Sequence, residues 1–373
     1  MDRTEVLAQL HAAARVVLLV LVLRAFPVLV AFFAAEAARV AQRALAVAVY
    51  TLLAAVAVAY AGFGAIDLVA TYAYFAAVVV VPYAVSVATS RRDVLFGAAF
   101  VVFMLAPALF GLRLRATMLC LGWEFMLAAY SYGVSAPARR SFAGYASFVF
   151  TNPALVYSHR GVSIGPPSLD RRGFVRVLEG GGRLFASELL PFVSSLLFGE
   201  EPPGALRALA SLFVIARFYA AHTGLASIQI GLCRQLGLEL PERYVKPYRA
   251  ASPREFWRRW NTYVGLWIGT YVFRPLALYA GRRWRLRGRR LSVLSVLVSF
   301  ACAGILHDLG PSLYHHELRH WGVLWFTANG IVLILWELVA RTTAWSARHP
   351  VWSAIGPRAL VLVIAIAMAG AIP

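Results

Sequence analysis

The chain has 373 residues, of which 61% are hydrophobic and 14% charged, with a formal net charge of +19 and a mean hydropathy of +0.70. Soluble domains run nearer half apolar and a quarter charged, so the composition excludes an ordinary soluble fold and predicts a polytopic membrane protein. Lys246 is the only lysine; the positive excess is arginine, set in short stretches between apolar runs. That placement suits orientation in a bilayer and contact with anionic lipid, and no nucleic-acid partner is expected.

A spanning helix needs about 20 mostly apolar residues. Residues 14–35, 44–63, 68–88, 94–112 and 116–132 qualify, 184–198 and 206–232 are shorter or more polar, and 291–306, 321–340 and 352–372 follow. The first run could pass for a signal peptide, but the spans after it make it a first transmembrane helix. The expected fold is an all-α integral membrane protein, a helical bundle of about 9–11 transmembrane helices, in one domain over residues 1–373. Residues 137–183 read as a long basic loop with turn signals at Asn152-Pro153 and Pro166-Pro167. The arginine-rich stretches at 91–92, 139–183, 234–259 and 282–290 are placed on the cytoplasmic side. Helix parity then leaves at least one span unmatched, which a re-entrant segment would resolve. Cys120, Cys233 and Cys302 show neither a disulfide framework nor metal-ligand spacing. Glu124, Glu188, Arg217 and His222 lie in apolar surroundings, where polar groups pair with one another or line a cavity.

The stretch Ser252-Pro253-Arg254-Glu255-Phe256-Trp257-Arg258-Arg259-Trp260-Asn261 reads as a helix start. Ser252 suits an N-cap, Pro253 the first helical position, and Glu255 completes a capping box. Continued as one helix, Phe256, Trp260, Tyr263 and Trp267 would form an aromatic stripe, with Arg254 and Arg258 on another face. An interfacial helix with aromatic anchors accounts for most of this. It leaves Asn261 unexplained, because an amide at membrane depth must find a partner or a function.

Leu236-Gly237-Leu238-Glu239-Leu240-Pro241-Glu242-Arg243-Tyr244-Val245-Lys246-Pro247-Tyr248 leads into that stretch, and Tyr271-Val272-Phe273-Arg274-Pro275-Leu276 follows it. Further on come Gly304-Ile305-Leu306-His307, Trp321-Gly322-Val323-Leu324-Trp325 and Trp336-Glu337. Together, over roughly residues 236–337, these resemble the hallmark region of the membrane-bound O-acyltransferase (MBOAT) family, as shared by alginate O-acetyltransferases and teichoic acid D-alanyl transfer proteins. Thr151-Asn152-Pro153-Ala154-Leu155-Val156-Tyr157 is similar to a loop of the lipid-modifying branch.

The resemblance implies a bundle with a central tunnel. It implies acyl transfer from a thioester, expected to be acyl-CoA, to a hydroxyl of a lipid, small-molecule or saccharide acceptor, with no resident cofactor or metal. His307 is then the general base, since a neutral imidazole suits the task of taking a hydroxyl proton. Asn261 is the donor to the thioester carbonyl or its oxyanion. Trp257, Arg258, Arg259 and Trp260 line the tunnel or bind the donor, and the location is a bacterial cytoplasmic membrane, multi-pass. Asn261 departs from the polysaccharide-modifying branch, which usually has histidine there; sterol, diacylglycerol and wax ester acyltransferases usually have asparagine. The cluster Arg282, Arg283, Arg285, Arg287, Arg289 and Arg290 reads as lipid-contacting, or as a landing site for the phosphates of coenzyme A.

Two other readings compete. His316-Glu317-Leu318-Arg319-His320 matches the H-E-x-x-H zinc signature; on a helix its two histidines would share a face, with Glu317 as base of an intramembrane metalloprotease. The bland alternative is a polar turn. A transporter or scaffold with the same fold and no catalysis is the third. Asp308 follows His307 but points about 100° away on a helix, so it is assigned to no relay.

Overall fold

The computed structural model describes residues 3–34, 65–89, 91–109, 112–135, 142–151, 163–164, 170–235, 238–315 and 317–340. The predicted spans at 44–63 and 352–372 lie outside the described residues. The helices are α1 (Arg3–Ala34), α2 (Ala65–Ala88), α3 (Arg92–Leu109), α4 (Leu112–Ser135), α5 (Phe142–Thr151), α6 (Arg171–Phe198), α7 (Gly204–Gln235), α8 (Pro253–Arg259), α9 (Thr262–Ile268), α10 (Arg274–Arg283), α11 (Gly288–His315) and α12 (Trp321–Ala340). Eight of them have 18 residues or more. Four described segments are both long and apolar enough to cross a membrane: Thr4–Phe26, Leu209–Gln235, Gly288–His315 and Trp321–Leu338. The protein is an integral membrane helical bundle.

Where it is described, the stretch 137–183 is mostly helix rather than the loop its Gly and Pro content predicts. It contains α5, whose Tyr145, Ala146 and Val149 are buried, and the first turns of α6. Asp170 starts α6 by accepting from the amides of Arg172 at 3.1 Å and Gly173 at 3.2 Å, which satisfies two donors that the helix itself leaves open. The turn signals at Asn152-Pro153 and Pro166-Pro167 lie outside the described residues. Residues 163–164 pair antiparallel with 238–239, tying the approach to α6 to the exit from α7.

The core gathers around α4. Phe125, Met126, Leu127, Ala128, Ala129 and Tyr132 are buried there against Tyr74 of α2, Phe103 of α3 and Tyr145 of α5. Tyr263 and Trp267 of α9 join the same cluster, and the Trp267 indole N–H donates to the Leu127 carbonyl at 3.2 Å. This packing carries the hallmark segment onto the N-terminal helices.

Small residues set two close approaches. On α6 and α7, Gly180 faces Gly224 and Gly173 faces Gly231; a Cβ on Gly224 would lie 2.8 Å from the Gly180 carbonyl oxygen. On α11, a Cβ on Gly304 would lie 2.5 Å from the Val323 Cα of α12. In lipid, where no water is expelled between helices, association relies on such backbone proximity and on interhelical hydrogen bonds. Asp308 supplies the latter: its carboxylate accepts from the amides of Gly322 at 2.6 Å and Val323 at 2.8 Å, capping α12 from α11. That agrees with leaving Asp308 out of a relay.

Gly224→Leu should push α6 from α7 and lower the melting temperature in detergent, an overpacking cost of about 1–3 kcal/mol. Gly182→Ala, one helix face away with nothing within 4 Å of its Cβ, should leave the melting temperature unchanged or raise it. Equal melting temperatures for Gly224→Leu and the parent would mean that α6 and α7 do not meet through these glycines.

Candidate active site

The hallmark segment begins as its sequence predicts. The Ser252 hydroxyl accepts from the Glu255 amide at 3.1 Å, and the Glu255 carboxylate accepts from the Ala251 amide at 2.7 Å. The Ala251 amide, together with the Arg259 guanidinium, holds the Glu255 carboxyl below the usual carboxylate range. The helix then stops. Trp260 is extended, and Asn261 takes φ 37°, ψ 62°, a left-handed conformation that asparagine enters more readily than most residues.

The single helix expected to carry Phe256, Trp260, Tyr263 and Trp267 as one stripe is therefore two helices facing different ways. Phe256 and Trp260 stack at 5.7 Å on one side of the break, while Tyr263 and Trp267 are buried in the core on the other. A second irregularity, a π-helical turn at Gly269–Phe273, joins α9 to α10.

The corner is stitched from outside. The Val245 amide donates to the Arg259 carbonyl at 2.9 Å, and the Thr262 amide to the Arg243 carbonyl at 2.8 Å. The Thr262 hydroxyl donates to the Glu242 carbonyl at 2.8 Å and the Tyr263 hydroxyl to the Pro241 carbonyl at 2.7 Å. Between these clamps the Arg243 Nε donates to Asn261 Oδ1 at 3.0 Å.

Arg243 in turn pairs with Glu124 of α4 at 2.5 Å, and Arg24 of α1 holds the second oxygen of Glu124 at 3.2 Å. All three charged side chains are buried. Isolated, any of them would be strongly unfavourable in such surroundings; paired and hydrogen-bonded, they persist. Glu124 thus finds partners outside the set of intramembrane polar groups among which pairing was expected. Glu188 and Arg217 do approach each other, at 3.8 Å.

His307 sits on α11 one turn beyond Gly304. Its Nδ1 is 2.7 Å from the Ala303 carbonyl. A carbonyl only accepts, so Nδ1 carries the proton and Nε2 presents a lone pair. The side chain is exposed although it lies between the rings of Phe326 at 4.4 Å and Trp123 at 6.2 Å. His222 of α7 repeats the arrangement, with Nδ1 2.8 Å from the Phe218 carbonyl. His222 lies within electrostatic reach of Arg243, His307 and Glu124. His222 thus lies within electrostatic reach of His307 and of the Arg243 that holds Asn261, and among the described residues neither imidazole has a hydrogen-bond partner at Nε2.

Trp257 and Trp260 are the aromatic walls of this region. Trp257 meets Phe326 at 5.6 Å, on the His307 side. Trp260 meets Tyr244 at 5.1 Å and Phe218 at 6.0 Å, on the His222 side. Of the two neighbouring arginines, Arg258 is exposed and Arg259 is engaged by Glu255 at 2.5 Å. Arg282 and Arg283 line a separate shallow hollow of about 310 Å³ with Leu278 and Tyr279.

The described part of the zinc pattern is not helical. His316 lies outside the described residues, and Glu317–His320 follow the end of α11 as a non-helical connection in which Leu318 is 96% exposed. Histidines four apart share a face only on a helix.

A model of the membrane-bound O-acyltransferase family matches residues 202–367. Relatives include a probable alginate O-acetylase of Azotobacter vinelandii, 24% identical over 60% of this chain and 40% of its own length. Another is a teichoic acid D-alanyltransferase of Bacillus subtilis, 24% identical over 26% of this chain and 25% of its own length. A long-chain-alcohol O-fatty-acyltransferase of Simmondsia chinensis is 28% identical over 49% of this chain and 53% of its own length. The chain spans about 40% of the length of the alginate O-acetylases it matches. Over residues 202–367 the chain is similar to the membrane-bound O-acyltransferase family.

Proposed function

We propose that the protein transfers an acyl group from a thioester, acyl-CoA, to the hydroxyl of a lipid, small-molecule or saccharide acceptor, in a tunnel that passes His307 and Asn261. The observation that carries this is the His307 ring: fixed through Nδ1 to its own helix, exposed, and with no hydrogen-bond partner for Nε2 among the described residues. The similarity of residues 202–367 to the membrane-bound O-acyltransferase family supports the same chemistry.

The hydroxyl of the acceptor gives its proton to His307 Nε2 as its oxygen attacks the thioester carbonyl carbon. A C–O bond forms and the carbonyl oxygen becomes an oxyanion. Asn261, whose Oδ1 is taken by Arg243, has its Nδ2 donors left for that oxyanion. Collapse breaks the C–S bond, and the departing thiolate takes the proton back from His307. No covalent enzyme intermediate is required. The exposed arginines at Arg282 and Arg283, like Arg258, are suited to attract the phosphates of the donor.

The acceptors to test first are those in the names of the relatives, alginate and a long-chain alcohol. Purified protein in lipid nanodiscs, given radiolabelled acetyl-CoA or palmitoyl-CoA with alginate oligosaccharide or hexadecanol, should form labelled ester with one pairing. His307→Ala should lower that turnover about a hundredfold or more while membrane insertion and melting temperature persist. Near-parent turnover by His307→Ala would sink the assignment of the base.

Asn261→Ala should cost about 10²–10³ in rate, and Asn261→Asp should do no better, since an ionised carboxylate puts negative charge where negative charge develops. Asn261→His distinguishes acceptors: at least a tenth of parent activity would mean that the amide says little about acceptor class, whereas a loss equal to alanine's would favour a lipidic alcohol. Chelators and His320→Ala should leave turnover within about twofold, as expected for an exposed surface change; loss of activity together with one zinc per chain in the parent would install the protease chemistry instead.

A further inference from the structure

We infer that Arg243, backed by Glu124 and Arg24, is a positioning residue that fixes which face of the Asn261 amide meets the substrate. The inference rests on the reading of Asn261 as the oxyanion donor.

The chemistry of the pair sets the orientation. A guanidinium has five N–H donors and no acceptor, so only the carbonyl oxygen of the amide can face Arg243 Nε at 3.0 Å. Nδ2 is thereby turned the other way. Without Arg243 the two ends of the side-chain amide are nearly isosteric. The amide could then turn its oxygen to the reacting centre, where it would repel the developing negative charge.

Arg243 is itself held by several contacts. Its backbone carbonyl accepts from the Thr262 amide at 2.8 Å, its Nη1 meets Glu124 at 2.5 Å, and its guanidinium lies 5.6 Å from the Tyr263 ring centre. Glu124 cannot swing away, because Arg24 holds its other oxygen at 3.2 Å. The order of constraint runs from α1 through α4 to the 238–250 connection and ends at the amide. Asn261 needs such an external hold, since it sits at the start of α9 with no side-chain cap bond of its own.

Lysine could replace the charge of Arg243 toward Glu124. It could not also supply the Nε donor, which is part of a rigid planar fork. Arg243→Lys therefore separates the ion pair from the orientation. Removing Arg243 altogether still leaves Glu124 paired with Arg24, so Arg243→Met need not strand a buried carboxylate.

The test is a double-mutant cycle with the acyl-CoA and acceptor pair that the parent turns over, read as kcat, KM and melting temperature. Arg243→Met and Arg243→Lys should each lower kcat about tenfold to a hundredfold, the size of a small misplacement at a reacting centre, with KM for the donor within about twofold. In an Asn261→Ala background the same Arg243 changes should alter kcat by less than about twofold, since nothing remains to orient. A merely structural Arg243 would cost the same factor in both backgrounds and would lower the melting temperature of Arg243→Lys in step with kcat. Either outcome, with Asn261→Ala slow on its own, overturns the positioning role and leaves the proposed function standing. If Asn261→Ala alone turns over like the parent, the oxyanion role of Asn261 fails, and Arg243 acting through it fails with it.

Discussion

A carboxylate halfway along an apolar helix is the constraint around which the described structure is arranged. Glu124 sits on α4 beside Phe125, Met126 and Leu127, in surroundings of low dielectric where an unpaired charge would be worth many kcal/mol. It is held by one arginine from the first helix and one from the connection that precedes the hallmark segment. The pairs tie together segments more than 200 residues apart in the chain. They also leave one positive charge in excess within the group of three. Because one buried carboxylate is shared by two buried arginines, the N-terminal helices and the hallmark segment are coupled. The family match covers only residues 202–367, yet the corner that carries Asn261 is completed by Arg24 and Glu124, which lie outside it.

Much of this was legible in the sequence where one interaction dominates. Apolar length gave the long helices, since in a bilayer the backbone has no other way to satisfy its hydrogen bonds. Ser252, Pro253 and Glu255 announced the start of α8 through local capping, and the cap forms. His307 was singled out because histidine on an apolar helix is uncommon and its neighbours resemble a known family. The break at Asn261 was not, because a left-handed residue leaves only a weak signature unless it is glycine. Nothing local in the 252–267 stretch reports that Arg243 and Thr262 will clamp its middle. Glu124 was recognised as needing a partner, but the identity of that partner is tertiary information. The signal that could have found Arg243 is charge balance: an intramembrane carboxylate requires an arginine, and Arg243 lies beside the hallmark stretch.

Where 137–183 is described, the expected loop failed for a related reason. Gly and Pro mark where turns are permitted, whereas α5 and α6 exist because Tyr145, Val149 and Leu184 are buried. Packing decides where permission is used. The same is true of the glycines of α6 and α7, which would weaken helices in isolation and here allow the backbones of two helices to meet.

Pro311 lies within α11, four residues beyond His307. Proline has no amide hydrogen, so the helical partner that the His307 backbone carbonyl would ordinarily find at position 311 is missing. His307 is thus the residue at which the ladder of α11 has lost a rung. Its ring is hydrogen-bonded back to its own helix, through Ala303 on the N-terminal side. Beyond it the helix is secured from the side: the Asp308 carboxylate accepts from the amides of Gly322 and Val323, and Ser312 accepts from the amides of Glu317 and Arg319. The rung that the proline removes is answered by bonds to α12 and to the connection before it.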